Sequence, residues 1–150
     1  MAHSKEREAE MSDIYWSRSI LHIFCDASNV PGKTLVGLGC AFVYDGSIDV
    51  FSRQANAAGS PLGTIQFGEV EAVRFAVSQV GAYLKRPVVV EQPEEIVVYS
   101  DFSLIHQYVE GVGRIRIEYL GTEKKDNPWH RAAHNAARRA IFLKVTKWNG

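Results

Sequence analysis

Three carboxylates carry the strongest chemical signal in this 150-residue chain. Asp26 closes the apolar run Ile20-Leu21-His22-Ile23-Phe24-Cys25 and precedes the small residues Ala27 and Ser28, while Asp101 closes a second run, Ile96-Val97-Val98-Tyr99-Ser100. A mostly apolar run that ends on aspartate is how a central strand delivers a carboxylate to a sheet edge, and open α/β sheets place their sites beyond the carboxyl ends of their strands. On neighbouring parallel strands the two aspartates fall within reach of one metal ion. Glu69 lies one position before an apolar stripe of helical spacing, so it projects from the first turns of a helix, beside the buried face. Hard divalent cations such as magnesium take oxygen ligands, and two of them sharing carboxylates align a water and a leaving oxygen on a phosphodiester. Any one of these acids alone reads as a solvated charge or a helix cap. The three together, each at an element end, point to a metal site.

Residues 1–18 are charged and lack a long apolar stripe, which predicts a flexible or weakly helical tail outside a single domain spanning 19–150. After Asp26, the residues Asn29, Pro31 and Gly32 mark a turn. The segment Val36 to Tyr44 alternates large and small side chains around Gly37 and Gly39, and Asp45-Gly46 is a hairpin signal that leads into Ile48–Ser52. Val70, Val73, Val77, Val80 and Leu84 form one helical stripe, ended by Lys85-Arg86-Pro87. Asp101 opens a short helix with Leu104, Ile105, Tyr108 and Val109 inward, and Arg114 to Leu120 alternates as a strand with one wet face. Asn127-Pro128 supplies an N-cap and a first-turn proline for a last helix with Trp129, Ala133, Ala136, Ala140 and Leu143 on one stripe. The expected fold class is α/β, a five-stranded mixed sheet in the chain order βββαβαβα, flanked by helices.

In this order and spacing the sequence resembles the type 1 ribonuclease H family over roughly residues 20–143. Phe24-Cys25-Asp26-Ala27-Ser28 is similar to that family's strand ending in aspartate, glycine and serine, and Gly37 to Tyr44 to its glycine-bearing second strand. Thr64 to Ala72 resembles its Thr-Asn-Asn-x-x-Glu-Leu-x-Ala motif, and Tyr99-Ser100-Asp101-Phe102-Ser103 its third acidic motif. The resemblance implies a ribonuclease H-like fold and hydrolysis of the RNA strand of RNA–DNA hybrids. It implies magnesium, with manganese as the alternative, on Asp26, Glu69 and Asp101. It also implies contacts to the hybrid near Ser28, Thr64, Gln66 and Ser103, where 2′-hydroxyls distinguish the RNA strand. A plainer reading of Thr64 and Gln66, as a helix cap and a surface side chain, stands beside it.

The family closes its site with a fourth aspartate in the last helix, yet no acidic residue follows Asp126 here. The vacated position falls on Arg131 or its neighbour His130, and a gap brings His134 there instead. A neutral imidazole still ligates a metal; a guanidinium does not. His130 and His134, four apart, also have a spacing found in zinc sites, though no third histidine or cysteine completes one. The family's mobile histidine before the last helix has Thr122 in its place. Arg131, Arg138, Arg139, Lys144 and Lys147 either face phosphates or form a solvated helix face.

Seventeen basic residues balance seventeen acidic ones, so any nucleic-acid contact is local rather than spread over a basic surface. Cys25 and Cys40 sit inside apolar runs without metal-ligand spacing, and the chain carries neither a secretory signal nor a long apolar span. A monomeric cytoplasmic nuclease with no membrane contact is the expectation. The alternative is a catalytically silent ribonuclease H-like domain that binds nucleic acid or a protein partner, and a metal-dependent nuclease of other specificity is a third reading.

Overall fold

A computed structural model describes residues 2–121 and 127–149, with side chains for residues 5–121 and 127–141. Strands β1 (Ile20–Asn29), β2 (Leu35–Tyr44), β3 (Ser47–Asn56), β4 (Glu95–Ser100) and β5 (Ile115–Tyr119) form one sheet in the order β3-β2-β1-β4-β5. The first three run antiparallel to one another, and β4 and β5 join β1 in parallel. Helix α1 (Ala2–Trp16) precedes β1, α2 (Thr64–Leu84) joins β3 to β4, and α3 (Pro128–Asn149) follows β5. Among the described residues no helix is long and apolar enough to cross a membrane.

The hairpin forms where expected because Asp45 (φ 49°) and Gly46 (φ 73°) both take the left-handed conformation that a two-residue turn requires. Side chains then alternate between two layers. Leu21, Ile23, Cys25, Leu38, Cys40 and Phe42 face α2, which contributes Val70, Val73, Ala76 and Val80 to the larger core. Cys25 and Cys40 pair across β1 and β2 inside it as free buried thiols. The opposite face presents Phe24, Ala41 and Val43 to Trp129 and Ala133 of α3.

Gly37 and Gly39 determine how close α3 lies. A Cβ at Gly37 would collide with the Ala137 carbonyl, and one at Gly39 with the Ala133 carbonyl. The bare backbone of β2 therefore lets the alanine stripe Ala133, Ala136, Ala137 and Ala140 settle directly on the sheet. Asn127 starts the helix as expected, its Oδ1 accepting from the N–H groups of Trp129 and His130 at 3.0 Å each. The side chains of Leu143, Lys144 and Lys147, and the whole of Thr122, lie outside the described residues.

Two segments differ from the sequence-based expectation. The helix expected after Asp101 is a single 3₁₀ turn, Ile105–Gln107. Ser100 Oγ accepts the Phe102 N–H at 3.1 Å and bends the chain, and of the four expected inward residues only Ile105 is fully buried, too little to sustain several turns. At the other end of the chain, residues 2–16 are helical, and Met11, Ile14 and Tyr15 pack against the Phe24–Trp129 cluster. The Gly46 N–H donates to the Tyr15 carbonyl at 2.7 Å and the Asp45 N–H to the Ser17 carbonyl at 2.9 Å. The three apolar residues are spaced i, i+3, i+4, a stripe too short to stand out among the charges around it.

Candidate metal centre

The parallel pairing of β1 with β4 ends at Phe24↔Tyr99. Two residues further along each chain stand Asp26, still within β1, and Asp101, the first residue past the end of β4. Asp26 is not the last residue of its strand, since β1 continues against β2 as far as Asn29↔Val36. It stands where β1 parts from β4, and that divergence opens the cleft.

Helix α3 brings the remaining donors. Gly39 is the β2 partner of Asp26, and because it lacks a side chain the first turns of α3 descend beside the carboxylate. His134 Nδ1–H donates to Asp26 Oδ2 at 2.6 Å, and His130 Nε2 stands 3.7 Å from Asp26 Oδ1. One carboxylate oxygen each from Asp26 and Asp101 and one ring nitrogen of His130 lie within 4.8 Å of one another. Glu69, Arg131 and His134 line the same cleft, which encloses roughly 390 Å³. Asp26 is only 4% exposed, and burial pushes its carboxyl pKa up. His130, the bond from His134, and the Ala27 backbone N–H pull it back down. A buried anion beside a second carboxylate favours a cation, and two carboxylates with an imidazole are a donor set that suits a divalent one.

The proposed metal ligands are thus not placed equally. Asp26 and Asp101 converge with His130, whereas Glu69 lines the cleft without joining that tight group among the described residues. Ser28 and Thr64 line a small hollow with Glu69. Thr64 and Gln66 line an adjoining groove with Asn29, Lys33 and Thr34, so the hollows form one path that leads to Asp26. Thr64 does not cap α2: Gly63 is the N-cap, with no side-chain bond. Ser103 is exposed and lines none of these hollows. Arg131, Arg138 and Arg139 are exposed on α3. In the sequence Asn29 reads only as a turn residue, whereas it closes β1, and Lys33 is not singled out, because nothing local in either residue shows which groove it borders.

Neither a family model nor a curated protein matches the chain. Solved structures do. Ribonuclease H1 from the halophilic archaeon Halobacterium salinarum NRC-1 aligns with a TM-score of 0.57 at 13% identity, over 81% of this chain and 97% of that one. LC11-RNase H1, isolated from compost by a metagenomic approach, aligns with a TM-score of 0.60 at 16% identity, over 85% and 99%. The same protein in complex with RNA/DNA hybrid aligns with a TM-score of 0.53 at 16% identity, over 81% and 99%. The five-stranded sheet and its flanking helices are therefore a ribonuclease H-like fold.

Proposed function

We propose that this chain is a divalent-metal-dependent endonuclease that hydrolyses the RNA strand of RNA–DNA hybrids. The observation that carries the proposal is the convergence of Asp26, Asp101 and His130 within 4.8 Å in a cleft that Glu69 also lines, on a ribonuclease H-like sheet. Asp26 and Asp101 offer carboxylate oxygens to magnesium or manganese, and His130 a ring nitrogen. When bound, the cation neutralises charge on a phosphoryl oxygen and lowers the pKa of a water. The chain's own contribution is placement. Ser28, Thr64 and Gln66 face the sugar edge of the RNA strand, and Lys33 and Arg131 face phosphates, so a water enters in line with the scissile bond. His134 holds the Asp26 carboxylate in orientation through Oδ2. Free buried thiols support a reducing, cytoplasmic setting.

A second reading, a silent scaffold that binds hybrids without cutting them, is favoured by one observation: no carboxylate follows Asp126. A single panel separates the two. Labelled RNA–DNA hybrid, RNA duplex, DNA duplex and single strands are incubated with the protein in magnesium and, separately, in manganese. The proposal expects cleavage of hybrid RNA above all other substrates. Retained hybrid binding without cleavage in either metal hands the case to the scaffold.

A further inference from the structure

The two histidines of α3 approach Asp26 from different sides and in different states of exposure. His130 is 9% exposed and its Nε2 faces Oδ1, whereas the His134 side chain is 43% exposed and its Nδ1 already bonds Oδ2. We propose that Asp26, Asp101 and His130 form a mixed nitrogen–oxygen centre for one ion of the first-row transition series, with His134 outside it as a positioning residue that fixes Asp26. The inference deepens the reading above because it concerns the same cleft, but it does not depend on hybrid cleavage.

Geometry supports a single ion. Donors around one cation at about 2.1 Å stand at most about 4.2 Å apart. The three donor atoms here lie within 4.8 Å of one another, close enough for small side-chain rotations to bring them onto one centre. A pair of ions about 4 Å apart is held best by a carboxylate that gives one oxygen to each. One oxygen of Asp26 is engaged by His134, and Glu69 stays outside the tight group. Chemistry then selects the metal. Magnesium favours an all-oxygen octahedron, whereas an imidazole nitrogen favours manganese and the later ions of the row. Thiolate chemistry does not enter, because Cys25 and Cys40 belong to the core on the other face of the sheet. The outer hydrogen bond from His134 is of the kind that orients a ligating carboxylate without touching the ion.

The test is isothermal titration of the full chain with manganese chloride and, separately, with magnesium chloride. Wild type should take up one manganese per chain, about tenfold or more tighter than magnesium. His130→Ala should bring that preference close to unity, and His134→Ala should weaken both metals while preserving it. Circular dichroism checks the fold of each variant, and His130→Gln offers a less disruptive replacement. Spin-echo modulation of the manganese-loaded wild type needs no variant and should show nitrogen coupling from an imidazole. Two ions per chain, an unchanged preference in the folded His130 variants, a preference lost only in His134→Ala, or absent nitrogen coupling each overturn the proposal. A chain that binds manganese through His130 yet leaves hybrids intact overturns the nuclease reading alone.

Discussion

Asp26 is a carboxylate on the buried wall of the cleft, with a second carboxylate, Asp101, close enough to share a cation. Without metal the two repel, so Asp101→Asn should leave thermal stability unchanged or slightly raised while cleavage falls by roughly 10²-fold, the scale on which directly acting groups are lost. A melting curve and a hybrid assay on the same preparation check both halves, and full activity in that variant sinks the metal reading. His22 gives a second prediction at this scale. It lies 7% exposed beside Phe24 on β1, with its Nδ1 hydrogen-bonded to the Tyr99 hydroxyl at 2.7 Å. Burial lowers its pKa from 6.5 to about 4 and raises that of Tyr99 to about 12, so both are neutral at pH 7. Between pH 6.5 and 4 the unfolded chain binds a proton at this residue that the folded chain refuses. Stability therefore falls as pH drops through that window, by on the order of 3 kcal/mol at most. Asp26 acts in the opposite sense, since its raised pKa lets the folded state take up a proton first. Urea melts of wild type and His22→Asn at pH 7, 5.5 and 4 isolate the histidine: the acid loss should shrink in the variant, and equal losses in both would exclude the assignment.

At the scale of elements, β2 and α3 form the joint on which the site depends. Gly39→Ala places a methyl group against the Ala133 carbonyl and Gly37→Ala one against the Ala137 carbonyl. Each should destabilise the fold by about 1–3 kcal/mol in chemical denaturation. Gly39→Ala should also weaken manganese binding more than Gly37→Ala, because Gly39 pairs with Asp26. Equal effects on the metal would mean that the depth of α3 does not position the histidines. This joint also explains what the sequence made legible. The aspartates at Asp26 and Asp101, the stripe behind Glu69 and the Asn127 cap are local patterns, each carried by a few neighbouring residues, and they were readable. Which histidine meets which oxygen of Asp26 depends on how far α3 descends over two glycines a hundred residues away, and no local pattern records that. The 3₁₀ turn at Ile105 and the docking of α1 escaped for the same reason, since both turn on how much apolar surface finds a partner in the folded chain.

Across the whole molecule, a balanced charge of seventeen against seventeen offers the proposed hybrid no broad basic surface, so its binding is assigned to the path from Lys33 and Gln66 to Asp26. Lys33→Ala should raise KM for the hybrid several-fold with kcat nearly unchanged, and should lower the salt slope of binding by about one. A kcat loss without a KM change would place Lys33 in the chemistry rather than on the path. The central claim, a metal-dependent cut in the RNA strand, is tested most directly by one assay on wild type and Asp101→Asn together. Hybrid labelled on the RNA strand, with a matching sample labelled on the DNA strand, is incubated in manganese and in manganese quenched with excess EDTA. The predicted result is scission of the RNA strand by wild type in manganese alone, with none in EDTA and roughly 10²-fold less by Asp101→Asn. Scission that persists in EDTA, or a hybrid bound by wild type and left whole in manganese, would contradict the account.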